Sequence, residues 1–178
     1  MRNITLRSSY KTLSVSEVHS MPNVSIREKW HWGFYGHSTI EHDYNLKAVV
    51  YHFYLFSGDE VVVDNATGLM WHQSGSDDEI LWDGAKEWVE DLNSEEGYAG
   101  YHGWRLPTVD EAVSLLESSK KNGDLYIDPV FSNKQVWIQT GDRNGSAGAW
   151  IVIFFRTGCV HGSLVYKWFY VRPVLSVR

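Results

Sequence analysis

The chain has 178 residues, of which 43% are hydrophobic and 21% are charged, and this balance excludes a disordered chain and fits one domain of ordinary size. The formal net charge of −6 argues against nucleic acid or an anionic membrane as the main partner, because neither phosphates nor acidic lipids are attracted to it overall. Aromatic residues make up 15% of the chain, and such side chains are used both in cores and on binding surfaces.

Cysteine usage and hydropathy narrow the protein class further. Cys159 is the single cysteine, so no internal disulfide is possible and a small stapled secreted domain is not indicated. The N-terminal sequence lacks an apolar core of signal-peptide length, and no stretch is long enough to span a bilayer, so we expect no membrane insertion. The compartment stays open, because folding in a reducing cytoplasm and surface display after export are both compatible with the sequence.

The N-terminal part contains one clear local signal. Ser14 followed by Glu17 forms a capping box, which predicts a short helix start over 13–18. Residues 20–45 are rich in His, Gly, Asn and aromatics without clear periodicity, and we expect them to be ordered but irregular.

A β-hairpin is predicted next. Residues 48–56 form an apolar, β-prone run, residues 57–59 carry a turn signal, and residues 60–64 resume as a strand. Residues 65–68 predict another turn, which leads into Leu69-Met70-Trp71.

Two helices follow. Leu81, Ala85, Trp88, Val89 and Leu92 fall on one face of a helix predicted from about residue 82 to 93. In the second helix Thr108 is a good N-cap and Glu111 completes a capping box, with apolar residues at 112, 115 and 116.

Short strands are predicted around 135–140, 149–156 and 169–174, separated by Gly-rich loops. We find no internal repeat and no linker. The expected class is therefore α+β, with a single domain over 1–178 in which residues 1–47 form an integrated N-terminal extension.

The stretch GYHGWRLPTVDEAVSLLE, residues 100–117, permits two interpretations. One makes His102 or Arg105 catalytic. The other, which we favour, is structural: Thr108 caps the next helix, the preceding proline fixes the chain, and Arg105 satisfies carbonyls or a carboxylate under a loop, since a guanidinium offers five donors in a fixed fork.

A set of motifs in this order resembles the Lcl C-terminal domain family, long catalogued as a domain of unknown function. They are DNATGLMW at 64–71, Trp82 and Ala85, GWRLPT at 103–108, YID at 126–128 with Phe131, and YVRPV at 170–174. The segments at 6–9 and 13–18 also look like the lead-in of many members. The resemblance covers nearly the whole chain, and the ordered set is specific where one motif alone is weak.

The resemblance implies a C-type lectin-like fold of the formylglycine-generating-enzyme type, in which two helices pack on a small, twisted, mostly antiparallel sheet. Characterised relatives are mainly binding modules, namely adhesin tips that bind sulfated polysaccharides and receptor-like proteins diversified by retroelements. The shared motif residues are expected to be structural; they are Trp71, Trp104, Arg105, Pro107, Tyr170 and Arg172.

Catalysis and metal binding are not indicated. The enzymatic branch of this superfold uses a pair of cysteines, and this chain has only Cys159, so we expect no catalytic residue and no cofactor. His31, His37, His42 and His52 lie near one another in sequence without zinc-ligand spacing, and the calcium-dependent sugar motifs of lectins do not occur, so we expect no metal site. The acidic run 77–79 is expected to lie in the first turn of the following helix.

The segment 149–155 is apolar at every position, although a strand with one solvated face should alternate. Two interpretations stay open: a central strand buried on both faces, or inward Trp150, Val152 and Phe154 with an outward apolar patch that awaits a ligand.

We expect the C-terminal region to form a ligand-binding surface, because rigid aromatics alternate there with adaptable polar groups. The candidate ligand-binding residues are Gln139, Asp142, Arg143, Ile151, Ile153, Phe155, Arg156, Thr157, His161, Ser163, Tyr166 and Trp168. The expected protein is a non-enzymatic receptor or adhesin-like domain for a protein or glycan ligand, with no nucleic-acid partner and an open oligomeric state. Its surface is a candidate for diversification by a retroelement. The alternatives are a sensor or accessory domain of a signalling protein such as a kinase, or a calcium-independent polysaccharide-binding module.

Overall fold

The computed structural model describes residues 3–50 and 58–177. Within these ranges the helices are α1 (Val15–Val18), α2 (Trp82–Leu92) and α3 (Val109–Ser114). The strands are β1 (Val24–Trp30), β2 (Gly33–Ser38), β3 (Tyr44–Val50), β4 (Gly58–Asp64), β5 (Leu69–His72), β6 (Trp137–Asn144), β7 (Gly148–Ile153), β8 (Cys159–Leu164) and β9 (Val174–Ser176). No helix in the described ranges is both long and apolar enough to cross a membrane.

The strands form two sheets, which confirms the α+β class. One sheet has five strands in the order β1-β2-β8-β7-β6, and the other has four in the order β3-β4-β5-β9. Every neighbouring pair within them is antiparallel. The expectation of one small sheet is therefore wrong for the described residues, although its mostly antiparallel character is confirmed.

The N-terminal region is more regular than its sequence suggests, and the prediction of an irregular segment over 20–45 is wrong. Strands β1 and β2 form a hairpin, and β3 begins at Tyr44. A β-bulge between Ile26 and Glu28 breaks the alternation of β1. Residues 27–29 are exposed as well, so the strand lacks the apolar period by which a sequence reveals one.

The β3–β4 hairpin is confirmed, with its register running from Tyr44 opposite Asp64 to Val50 opposite Gly58. The predicted turn at 57–59 is wrong for Gly58 and Asp59, because both are paired residues of β4. The first predicted strand, 48–56, overlaps β3 only at 48–50, and its remaining residues lie outside the described ranges.

All three helices begin where local signals place them. Ser14 and Thr108 each accept from the N–H of a glutamate three residues on, at 3.2 Å, and so the two capping boxes are confirmed. Helix α2 occupies the predicted span and buries Trp82, Ala85 and Val89.

The acidic run 77–79 was expected in the first turn of α2, and this expectation is wrong. Helix α2 begins only at Trp82, and the acidic residue of its first turn is Asp83. Glu79 instead accepts a hydrogen bond from the indole Nε1 of Trp137 at 2.7 Å.

The core consists of two clusters on opposite faces of the four-stranded sheet. Val62 and Trp71 point into the larger cluster, which lies against α3 and the inner face of the five-stranded sheet. Val61 and Val63 point into the smaller cluster, which includes the buried face of α2. The side chains of Val61, Val62 and Val63 are therefore buried on both faces of β4, as expected for a strand in a sheet that is packed on both sides.

Two features at the C-terminal end differ from the prediction. Strand β8 was not predicted, because Gly162 and half-exposed polar residues interrupt its apolar pattern. The predicted strand 169–174 reaches the regular sheet only at Val174. Before it, Phe169 and Tyr170 form single bridges to Ile80 and Ile138.

The stretch around Arg105 is packed between elements. Trp104 is buried and donates its indole N–H to the Tyr98 carbonyl at 3.2 Å. The carbonyl of Pro107 accepts from the Gly141 amide at 2.9 Å, which ties this loop to β6. Arg105 pairs with the buried Glu111 at the start of α3.

Arg172 is fully buried and joins three segments of the chain. It donates to the carbonyls of His72, Gln73 and Ser132 and to the side-chain oxygen of Gln135. Its guanidinium lies 5.0 Å from the centre of the Phe131 ring. Burial lowers the pKa of Arg172 to about 9, which still leaves the guanidinium charged at neutral pH.

Candidate ligand-binding surface

The most exposed aromatic side chains of the described residues lie in the loop after β8. Tyr166 is 62% exposed and Trp168 is 57% exposed. The loop is a tight turn, in which the Val165 amide donates to Ala147 at 3.1 Å and the Lys167 amide donates to Leu164 at 3.1 Å. Two large aromatic rings are thus presented to solvent on a short, hydrogen-bonded segment.

A groove of about 380 Å³ lies between this loop and the start of α2. One wall is formed by Val165, Tyr166 and Trp168, and the other is formed by Ile80, Leu81, Asp83 and Gly84. Asp83 carries the one charged side chain among the residues that line it. The groove is therefore mostly apolar, with a single carboxylate at one wall.

The backbone beneath the groove is held from both sides. Ile80 and Phe169 exchange backbone hydrogen bonds of 2.8 and 3.3 Å, and the Gln139 amide donates to both of their carbonyls, at 2.8 and 3.2 Å. Gln139 is only 1% exposed. This predicted binding residue therefore supports the groove from below.

Several other predicted residues share the outer face of the five-stranded sheet. Ile151 lies opposite Gln139 on one side and His161 on the other, and residues directly opposite in a ladder point to the same face. Ile153 lies two positions after Ile151, and Ser163 lies two positions after His161, so both side chains point to this same face. Ile151 is 3% exposed, whereas Ile153, His161 and Ser163 are half-buried.

The inner face of β7 carries Trp150 and Val152, and Phe154 follows directly after the strand; all three are fully buried. The strand is central in its sheet, and its outward Ile151 is also buried. Of the two interpretations for this segment, burial on both faces holds as far as Val152, and only the outward side chains of Ile153 and Phe155 are half-buried.

Asp142 is buried beneath the N-terminal segment. Its carboxylate accepts from Arg7 at 2.8 and 2.6 Å, from the Lys11 amide at 2.7 Å and from the Val109 amide at 2.7 Å. The neighbouring Arg143 lies over the Trp82 ring, 4.7 Å from its centre. Asp142 therefore joins the N-terminal segment, α3 and β6, and it does not reach the surface.

The residues Phe155, Arg156 and Thr157 lie in the loop that joins β7 to β8. Because Tyr166 follows the other end of β8, this loop is at the opposite end of the sheet from the groove. The predicted binding residues are thus divided between two ends and one face of the sheet.

Sequence reasoning missed the groove wall formed by Ile80, Leu81, Asp83 and Gly84, because these residues read only as the start of an amphipathic helix. It also missed Trp32 and Leu164, which are 53% and 41% exposed and lie at the same end of the five-stranded sheet as Tyr166. The sequence signal that could have identified Trp32 was an isolated large apolar residue next to a glycine.

The remaining chemical candidates are Cys159 and the histidines that lie near one another in sequence. Cys159 is 7% exposed, and burial raises the pKa of its thiol to about 11, so the thiolate is disfavoured. His42 is bonded at both ring nitrogens, to Asp64 at 2.8 Å and to the Ser114 carbonyl at 2.7 Å. Within the described ranges no three His, Cys, Asp or Glu residues are close enough to hold a metal ion, and His52 lies outside those ranges.

Comparison with known proteins gives one family. The family model of the Lcl C-terminal domain matches residues 60–175, more than half of the chain, from the start of β4 to β9. No curated protein and no solved structure matches the chain.

Proposed function

The chain belongs to the Lcl C-terminal domain family, and we propose that it is a non-enzymatic ligand-binding domain. The proposed binding surface consists of the groove between the wall of Ile80, Leu81, Asp83 and Gly84 and the loop of Tyr166 and Trp168. Half-buried Ser163 and the exposed Leu164 extend it towards the five-stranded sheet.

The exposure of Tyr166 and Trp168 carries this proposal. Aromatic rings are costly to leave in water, and they are enriched where proteins contact partners. A rigid ring loses little conformational entropy on binding, and the backbone hydrogen bonds around Ile80 and Phe169 already fix the groove.

A protein or a glycan suits this surface better than a small molecule. Small-molecule sites usually enclose most of their ligand, whereas this groove is open on the side of Tyr166 and Trp168. The single carboxylate of Asp83 and the net charge of −6 disfavour an acidic ligand here.

Two observations support the absence of catalysis in this proposal. The oxidation chemistry of the formylglycine-generating branch needs a cysteine pair, and the one cysteine of this chain is buried with a raised thiol pKa. Arg105, one of the two catalytic candidates in residues 100–117, forms an ion pair with the buried Glu111.

The finer parts of the proposal are a C-type lectin-like fold of the formylglycine-generating-enzyme type and a binding surface varied by a retroelement. They are supported by the division of the chain into buried motif residues, such as Trp71 and Arg172, and exposed loop residues, such as Tyr166 and Trp168. Substitutions in the second group change binding with little effect on folding.

The test is an array of proteins and glycans probed with the wild-type chain, with Tyr166→Ala and with Trp168→Ala. Tyr101→Ala is the matched control, because Tyr101 is also exposed, at 38%, and does not line the groove. The proposal expects a wild-type ligand whose affinity falls at least about tenfold in both groove variants and is unchanged in the control. A ligand that binds all four proteins equally contradicts the proposal.

A further inference from the structure

A second cleft lies on the other side of Ile80 from the groove. Its volume is about 500 Å³, and its lining includes His72, Ser76, Asp77, Asp78, Trp88 and Tyr98. It has both polar and aromatic walls and is formed by the end of β5, the loop before α2 and one face of α2.

His72 presents a hydrogen-bond donor to this cleft. Its ring Nδ1 accepts the Gly75 amide N–H at 2.9 Å, so the proton of the neutral ring is on Nε2. Among the described residues Nε2 has no hydrogen-bond partner. It is also not among the side-chain polar atoms that are fully buried without a partner, so solvent can reach it. The residue is only 5% exposed and lines the cleft, so this N–H is available as a donor to a ligand there.

The ring stays neutral and fixed at physiological pH. Burial, with a further effect from the charge of Arg172, lowers the pKa of His72 to about 3. Tyr98 stacks on the imidazole with ring centres 4.0 Å apart. A neutral ring whose Nε2 already carries a proton donates a hydrogen bond but does not act as a base there, which favours binding over proton transfer.

The loop beside His72 is also held firmly. The Ser76 amide donates to the Val171 carbonyl at 2.7 Å, and the Val171 amide donates to the Ser76 hydroxyl at 2.9 Å. Gly75 has φ +85°, and a Cβ there would come within 2.3 Å of the Val171 carbonyl, so this position admits only glycine. The cleft is therefore pre-formed.

The polar groups of the cleft select the class of ligand. The carboxylates of Asp77 and Asp78 are exposed at the rim, and the exposed ammonium of Lys134 lies 3.5 Å from Asp77 and partly balances its charge. Asp78 still repels an anion, and the neutral His72 adds no positive charge. A cation is disfavoured because the polar group that His72 can offer the cleft is a donor N–H. A neutral ligand with several hydroxyl groups suits both the carboxylates and the His72 N–H, because each hydroxyl can donate to a carboxylate and accept from an N–H.

We propose that this cleft binds one uncharged sugar residue. One hydroxyl accepts from Nε2–H of His72, neighbouring hydroxyls donate to Asp77 and Asp78, and the apolar face of the sugar ring packs on the half-buried indole of Trp88. The site is separate from the groove at Tyr166 and Trp168, and variants of those two residues leave it intact.

The test is an NMR titration of the full chain with the methyl glycosides of glucose, galactose and mannose, and with glucuronic acid as a charged counterpart. The Trp88 indole N–H is the reporter. We expect at least one neutral glycoside to shift this resonance in a saturable way and glucuronic acid to bind at least about tenfold more weakly.

Three variants locate the site. His72→Phe removes the donor while keeping a ring against Tyr98, and the double variant Asp77→Asn with Asp78→Asn changes only exposed side chains, so it stays informative if the first variant fails to fold. Asp83→Asn is the matched control, an exposed carboxylate in the neighbouring groove. We expect about a tenfold rise in Kd for the double variant and for folded His72→Phe, with no change for the control.

Three results would overturn the proposal. They are the absence of any saturable shift at Trp88 with the neutral glycosides, binding of glucuronic acid as tight as that of the neutral sugar, and an unchanged Kd in the double variant.

Discussion

Arg105 donates both terminal N–H groups to the carboxylate of Glu111, at 2.6 Å each, and the Glu111 side chain is fully buried. The same carboxylate accepts the Thr108 amide at 2.9 Å in the capping box of α3. One glutamate therefore both caps the start of the helix and anchors the preceding loop. Arg105, as the ion-pair partner of this glutamate, has a structural role.

The first prediction concerns this pair. Arg105→Ala leaves the Glu111 carboxylate buried without its cation, and we expect a loss of about 3 kcal/mol in the free energy of unfolding. Urea unfolding followed by tryptophan fluorescence measures it. Lys120→Ala removes an exposed pair with Asp124 and serves as the control, with an unchanged midpoint. A wild-type midpoint for Arg105→Ala would show that the pair does not stabilise the fold.

The second prediction concerns Asp64 and acid stability. Burial raises the pKa of its carboxyl, but hydrogen bonds from His42 and Thr67 outweigh this effect, and the pKa lies below its ordinary value of 3.8. The carboxylate therefore contributes its full stability above about pH 4, and this contribution is lost as the pH falls through the folded-state pKa.

Asp64→Asn should lower the free energy of unfolding by about 2 kcal/mol at neutral pH, because the hydrogen bonds to a charged acceptor are lost. The difference from wild type should shrink as the pH falls below 4. Urea midpoints measured over a pH series check this. A difference that stays constant with pH would mean that the Asp64 charge is not involved.

The third prediction concerns Arg172, for which no carboxylate lies within ion-pair distance among the described residues. Its planar fork matches three carbonyls in two separate segments, those of His72 and Gln73 and that of Ser132, and an ammonium cannot reach them together. We expect Arg172→Lys to cost at least about 3 kcal/mol, measured by urea unfolding. Arg156→Lys, at an exposed loop position, is the matched control. Equal midpoints for the two variants would contradict a structural role for the fork.

The fourth prediction concerns sibling copies of this gene. If a retroelement varies the surface, substitutions should concentrate at exposed and half-buried positions such as His161, Ser163, Tyr166 and Trp168. The buried Asp142 should stay fixed, because its carboxylate accepts hydrogen bonds from Arg7 and Lys11 of the N-terminal segment and from Val109 of α3. Deep sequencing across the source population measures this. Changes spread evenly over buried and exposed positions would remove the diversification proposal.

Residues that were predicted to form one binding surface lie apart in the structure, for reasons that Asp142 and Tyr166 illustrate. Asp142 looks like a polar residue in a Gly-rich strand end, and its burial depends on Arg7, 135 positions earlier in the chain. Tyr166 and Thr157 lie nine positions apart in sequence, yet β8 places them at opposite ends of a sheet. No local pattern carries this information.

The sequence by itself determined what depends on neighbours a few residues apart. The capping boxes at Ser14 and Thr108 and the apolar face of α2 are set by contacts within about one helical turn, and they were predicted correctly. Only the tertiary structure decided the pairing of β1, β2 and β8, the burial of Gln139 and Asp142, and the meeting of Trp168 with Ile80 in one groove. The physical reason is that a strand gains its hydrogen bonds, and a polar side chain its partners, from residues far away in the chain.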